Sequence, residues 1–271
     1  MHPYLFQLGS FPIGTYGLML AIGFFAGTAL AKRQGKLDGI EGEFIPDLAI
    51  TLLLAGIIGA KLLMILVGLF TPAGQDGAMT FRDIFTLGTL RAGGAIHGGI
   101  ILGAAAFFWK ARKAVGHSVA QIGDALVPGV ALGQAIGRLG CFAAGCCYGS
   151  VCTAPWSVTF TDAHAHELSG TPLGIPIHPV QLYTFLGNLA VMGILLLARK
   201  GRRFTGQVTA LYFMLEGVAR LTMETWRGDM DRGAWLGLDW LSTGRLTAMA
   251  FVAFGIALWI WWSRTKEEVA L

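Results

Sequence analysis

Seven stretches of mostly apolar residues, each near the length of a bilayer-spanning helix, dominate this sequence: roughly 14–31, 46–70, 94–109, 119–140, 180–198, 206–225 and 244–263. A helix needs about 20 such residues to cross the hydrocarbon core. Backbone in lipid must satisfy its own hydrogen bonds, so the runs have to be helices or strands of a closed barrel. Barrel strands alternate apolar with polar residues, and these runs do not. Composition agrees: 54% of the 271 residues are apolar or aromatic and only 13% are charged, against about 25% charged in an average soluble domain. A disordered chain, a basic nucleic-acid-binding domain and a small disulfide scaffold are thereby excluded. The expected class is an all-α integral membrane protein of seven transmembrane helices with a small extracytoplasmic loop region, residues 1–271 forming a single polytopic domain. The opening MHPYLFQLGSFP has neither a basic start nor an apolar run, so the first span is expected to stay in the membrane.

Basic residues set the expected orientation. Lys32, Arg33 and Lys36 follow the first span; Lys110, Arg112 and Lys113 the third; Arg199, Lys200, Arg202 and Arg203 the fifth; Arg264 and Lys266 the last. Twelve of the 20 basic residues therefore fall on one side, and none lies between Arg138 and Arg199. The positive-inside rule places the N-terminus outside and the C-terminus in the cytoplasm. Trp156, Trp226, Trp235 and Trp240 then fall at the outer face, and Trp259, Trp261 and Trp262 at the inner end of the last span, as interfacial belts. The WSVTF run in the long 141–179 connection suggests a short surface strand or hairpin.

Ionisable groups inside spans are costly and mark function or pairing. His97, Asp124, Arg138, Glu216, Arg220 and Glu224 are the candidates, with Lys61 less clear. Asp124 and Lys61 lie toward the inner side and read as paired or snorkelled charges. His97 stands among Gly93, Gly94, Gly98 and Gly99 near the start of a span, where free N–H groups favour anions. Close helix packing is the alternative reason for those glycines. Gly129, Gly133 and Gly137 recur every four residues before Arg138, a smooth seam for a neighbouring helix. Glu216, Arg220 and Glu224 share one helical face. Two guanidinium forks suit a lipid phosphate, and a histidine suits proton transfer near neutral pH. Chemistry on a phospholipid head group is the reading these residues favour.

Four cysteines, Cys141, Cys146, Cys147 and Cys152, fall within twelve residues. They could form disulfides, bind a metal together with His164, His166 or His178, or act directly as thiols. The spacing matches no standard zinc pattern.

In order and spacing, the boxes resemble the prolipoprotein diacylglyceryl transferase family from Gly14 to about Met249. IGTYGLMLAIGF, with Tyr16, is similar to the first-span box, and GGAIHGGIILG, with His97, to the HGG box. QIGDALVPGVALGQAIGRLG resembles the approach to the signature. IHPVQLYTFLGN resembles HP-x-QLYE, with Thr184 in place of the acidic residue. GVARLTMETWRGD resembles G-x-x-R-x-x-x-E-x-x-R, giving Arg220, Glu224 and Arg227, and LSTGRLTAM resembles LS-x-GQ, with Arg245 for glutamine. The signature G-R-L-G-N-F-x-N-G-E-x-x-G reads GRLGCFAAGCCYG here, so Cys141, Ala144 and Cys146 stand where the family has Asn, Asn and Glu.

The resemblance implies a transferase of the bacterial cytoplasmic (inner) membrane. Its donor would be phosphatidylglycerol and its acceptor the lipobox cysteine thiol of a prolipoprotein, with no metal or other cofactor. It implies His97, Arg138 and Arg220 as catalytic residues. Tyr16, Arg138, Arg220, Glu224, Gly98 and Gly99 would bind substrate. Cys141 and Cys146 would form a thiol site on the Arg138 face, with pKa values lowered by the arginines and the helix ending near Gly145. A divergent transferase with another acceptor, or a lipid-binding or transport protein that has lost catalysis, are the alternatives these residues leave open.

Overall fold

The computed structural model describes residues 4–8, 11–72, 79–86, 89, 94–228, 234–235 and 238–265. Gly93 and Lys266 fall outside this set, as do the side chains of Trp235 and Trp240. Among the described residues the helices are α1 (Thr15–Leu37), α2 (Phe44–Phe70), α3 (Ile96–Ala111), α4 (Val119–Ala144), α5 (Ala163–Ser169), α6 (Val180–Lys200), α7 (Gln207–Glu224) and α8 (Thr243–Thr265). Antiparallel pairs of short strands punctuate them: β1 (Tyr4–Leu8) with β2 (Phe11–Gly14), β3 (Val158–Thr159) with β4 (Pro176–Ile177), and β5 (Ala234–Trp235) with β6 (Leu238–Ser242). The short surface strand expected at WSVTF is β3, which pairs with β4 beyond the intervening helix α5 and so forms no tight hairpin.

Five helices, α1, α2, α4, α6 and α8, are long and apolar enough to cross a membrane. The clearest is α2, with a mean hydropathy of 2.5 and only 6% of its apolar window buried within the protein. Phe25, Ile57 and Leu186 are likewise exposed. Only a lipid solvent makes such outward apolar surface stable. The other two expected spans differ for physical reasons. Helix α3 has only 16 residues, because Gly94 turns the chain with φ +80° just before it starts. Helix α7 carries Glu216, Arg220 and Glu224 in 18 residues, which dilutes its hydropathy.

The chain divides into two compact units, Met1–Gly39 with Gly123–Leu271, and Ile40–Ile122. In the second unit α2 and α3 pack backbone to backbone. Gly59 lies against the Gly98 carbonyl and Gly98 against the Gly59 carbonyl, while a Cβ on Gly99 would stand 2.9 Å from the Gly56 oxygen. The Ala95 N–H donates to the Ala60 carbonyl (2.9 Å). Lys61 donates to the Thr89 carbonyl (2.8 Å), and Lys110 pairs with Asp47.

In the first unit, the glycine seam of α4 meets α1. A Cβ on Gly27 would stand 2.5 Å from the Gly129 oxygen, and one on Gly23 would stand 2.8 Å from the Gly133 oxygen. Val127 and Ala131 of α4, Val191 and Leu195 of α6, and Val208 and Tyr212 of α7 form a buried core beside that seam. Helices α7 and α8 close through Gly217 and Gly255, each set against a carbonyl of the other helix. Gly129→Ala is therefore expected to lower stability by about 1–3 kcal/mol, because the new methyl meets rigid backbone. Gly193→Ala, in an open stretch of α6, should be neutral or slightly stabilising. Thermal unfolding of the two variants in one detergent compares them; equal midpoints would contradict the tight seam.

The end of the first unit that carries Asp124 is held by charges. Asp38 pairs with Arg199 (2.6 Å) and with Arg202 (2.6 Å). Pro128 lies inside α4 and has no N–H, so the Asp124 carbonyl four residues back loses its helical donor. Arg199 supplies one instead, at 3.1 Å. The Asp124 side chain reads as paired from sequence, and the structure supplies the partners: it is fully buried and accepts from the Gly206 N–H, the Thr209 N–H and the Thr209 hydroxyl.

Candidate functional site

The first unit holds a small cavity among α4, α6, α7 and the segment after α7. Arg138, Arg220, Arg227, Glu216 and Glu224 line it, with Thr184 and Asn188 from α6. Three guanidiniums and two carboxylates thus meet around one gap in a largely apolar chain, where charges inside spans are costly. Arg138 reaches it from the last turns of α4. Arg220 and Glu224 are one turn apart on α7, and Glu216 is a turn before them. Glu216 feels the charges of Arg138 and Arg220, and one of its oxygens is buried without a hydrogen-bond partner.

Arg227 was legible as a box residue, but its place in the cavity is set by loop pairing. The Ser150 N–H donates to the Trp226 carbonyl (2.8 Å) and the Gly228 N–H to the Tyr148 carbonyl (3.2 Å). That register puts Arg227 opposite Gly149. It requires glycine at both contacts, since a Cβ on Gly149 would strike His178 and one on Gly228 would strike the Gly149 oxygen.

Ser242 and Gly244 belong to the LSTGRLTAM box, but the box did not show that both stand against Glu224. The Ser242 hydroxyl accepts from the Arg245 N–H (3.2 Å), capping α8, and donates to the Glu224 carboxylate (2.9 Å). Gly244 leaves room for that carboxylate: a Cβ there would stand 2.6 Å from its oxygen. The end of a flexible side chain can shift, so Gly244→Ala should fold normally yet displace Glu224. A loss of about tenfold in turnover with an unchanged unfolding midpoint is the expected result. Unchanged turnover would mean that the Glu224 position is immaterial.

Tyr16 packs on Gly140 of α4, where a Cβ would meet its ring at 3.3 Å. Its phenol is near enough to interact with Arg138 and with Cys141, Cys146 and Cys147. His97 is exposed at the start of α3, in the second unit, so it belongs to a different unit from the cavity. Gly98 and Gly99, expected at the substrate, lie against Gly59 and Gly56 of α2, where they serve helix packing.

The end of α4 falls where the signature implied. The helix stops at Ala144, Gly145 turns with φ +80°, and Cys147 follows with φ +59°. Buried Thr171 locks the turn by donating to the Gly145 carbonyl (2.8 Å). All four cysteines are free thiols. Within this cluster the thiol group of Cys147 is the one pushed toward its ionised form. Hydrogen bonds from Cys141 and Cys146, then the guanidiniums of Arg227 and Arg138, push Cys147 well down. Cys146, hydrogen-bonded to both other thiols and desolvated, is pushed up. Clustered thiols cannot all ionise, so the negative charge concentrates on one of them.

The sequence profile of prolipoprotein diacylglyceryl transferase matches residues 3–261. The chain belongs to the prolipoprotein diacylglyceryl transferase family. Among its relatives, the phosphatidylglycerol–prolipoprotein diacylglyceryl transferase of Clostridium tetani is 34% identical, over 94% of this chain and 96% of that protein. The enzyme of the same name from Gloeobacter violaceus is 30% identical, over 98% and 94% of the two chains. One numbered 2 in Clostridium perfringens is 31% identical, over 91% and 90%. The family match covers both units, the arginine cavity and the cysteine-bearing turn alike.

Proposed function

We propose that this membrane transferase moves a diacylglyceryl group from phosphatidylglycerol to the lipobox cysteine thiol of a prolipoprotein, releasing glycerol phosphate. The observation that carries the reading is the convergence of Arg138, Arg220 and Arg227 on one cavity in a family whose relatives are named for that donor and acceptor. Arg138 and Arg220 hold the donor phosphate and take up the charge that grows on it as the carbon–oxygen bond breaks. Glu224, steadied by Ser242, orients Arg220 from one turn away on the same helix. Tyr16 donates to the head group. His97 accepts the proton of the incoming thiol, which is a weak nucleophile until it is deprotonated.

The topology that suits this chemistry has seven spans in a single polytopic domain, with α3 and α7 counted as spans in addition to the five longer helices. The N-terminus is outside and the C-terminus cytoplasmic, so the arginine end of α4 and α7 faces the outer leaflet. Reporter fusions at Lys113 and Gly201 should read as cytoplasmic, and an external reading at either would reverse the topology. The direct assay uses the purified chain, phosphatidylglycerol vesicles and a lipobox peptide. The peptide should gain one diacylglyceryl mass as glycerol phosphate is released. If a control family enzyme works and this chain releases glycerol phosphate without modifying the peptide, the lipobox thiol is not the acceptor. If it releases none, the reading fails.

A further inference from the structure

We infer that Cys141, Cys146 and Cys147 form a three-thiolate site for one thiophilic divalent cation, with Zn²⁺ the ordinary occupant. The inference stands apart from the transferase reading, since it concerns binding and can be measured without turnover. The Sγ atoms of the three residues all lie within 4.8 Å of one another. Three sulfurs bound to one ion at about 2.3 Å would be spaced at about 3.8–4.0 Å. Each therefore needs to move by less than about 1 Å to close on a metal.

The backbone is shaped to bring them together. Cys141 projects from the last turn of α4, Gly145 ends the helix, and Cys147 adopts φ +59°, the one positive φ of a non-glycine residue among those described. An L residue enters that region at a cost, so something about the Cys147 position is being favoured over local ease. The turn is fixed from both sides. Gln181, almost wholly buried, donates to the Cys146 carbonyl (2.9 Å), and Thr171 donates to the Gly145 carbonyl (2.8 Å). A disulfide would use two of these sulfurs and strand the third, whereas a metal uses all three.

Donor type and charge select the ion. The cluster holds three thiols and no carboxylate or imidazole. Soft sulfur donors favour Zn²⁺, Cd²⁺ or Cu⁺ over Mg²⁺ or Ca²⁺, which take oxygen. Three thiolates around a divalent ion carry one net negative charge. Arg138, one turn before Cys141, and Arg227, held opposite Gly149 by the loop pairing, supply the compensating positive charge. Three protein ligands leave a fourth position open, as in reactive rather than closed structural sites. Cys152 stands apart; its sulfur accepts the Ala154 N–H (3.3 Å).

The test uses the full chain in detergent, fully reduced and stripped of metal. Cd²⁺ is titrated while the ultraviolet thiolate-to-metal charge-transfer band is recorded, and Zn²⁺ is titrated against a chromophoric chelator. One ion per chain is expected. Cys152→Ser should bind like the wild type, and Cys141→Ser, Cys146→Ser and Cys147→Ser should each weaken binding at least about tenfold. Should a serine variant fail to fold, the wild type alone decides through maleimide labelling read by mass. Zn²⁺ should protect Cys141, Cys146 and Cys147 together, and a chelator should restore their labelling. Absence of the charge-transfer band in the reduced wild type, labelling unaffected by Zn²⁺, or full-strength binding by folded Cys147→Ser would each overturn the site.

Discussion

Arg220→Ala should lower diacylglyceryl transfer by about 100- to 1,000-fold while the chain remains folded. The side chain lines the cavity with Arg138 and Arg227, and the reaction ends with charge on a departing phosphate. A donor fixed in advance in a dry site stabilises that charge far more than water does, and its loss falls mainly on kcat. Arg220→Lys keeps the charge but gives up the planar fork, so it should recover only part of the rate. Arg138→Ala should behave alike, and the double variant should lose less than the product of the two single losses, because the proposed mechanism has both grip one phosphate. Kinetics with phosphatidylglycerol vesicles and unfolding midpoints for each variant check the result. A variant that keeps near-wild-type turnover, or whose loss is wholly explained by unfolding, would remove Arg220 from the reaction.

The second large effect concerns folding. Asp124→Ala should cost about 3–5 kcal/mol of stability, enough to deplete the protein from the membrane. Asp124 sits on α4 yet caps a different helix. Its two oxygens accept the Gly206 and Thr209 N–H groups, which have no partner within the first turn of α7. Its negative charge also lies at that helix's positive end. Truncation leaves two buried donors unsatisfied, at about 1–3 kcal/mol each, and leaves Arg202 with one carboxylate fewer. Asp124→Asn retains an acceptor and should cost clearly less. Unfolding midpoints in a single detergent, together with membrane yields, separate the variants. Equal stability of Asp124→Ala and wild type would mean that the cap contributes nothing.

The residues that were legible in advance share one property: their meaning lies within one helical repeat. Gly129 and Gly133 declared a seam because residues four apart share a face, and α1 lies on it. Arg220 and Glu224 declared a common face for the same reason. The break after Ala144 followed from glycine at the place where the signature bends. The contacts that escaped the reading act across long separations. Ser242 reaches Glu224 from 18 positions away, and Arg199 replaces a bond that Pro128 removes from another helix. Neither link leaves a periodic trace. Gly98 and Gly99 illustrate the ambiguity of small residues: the same lack of a side chain suits a ligand or a neighbouring helix, and packing alone shows α2 against them.

The sequence by itself determined a membrane-embedded helical protein and the set of charges it must accommodate, since apolar run length and hydrogen-bond satisfaction in lipid leave few options. Its ordered boxes also determined the family. The tertiary structure alone decided that Arg227 joins Arg138 and Arg220, that Asp124 is a cap, and that Cys147 completes the thiol cluster. Those outcomes depend on loop register and on one left-handed residue, and a periodicity of 3.6 carries no information about either.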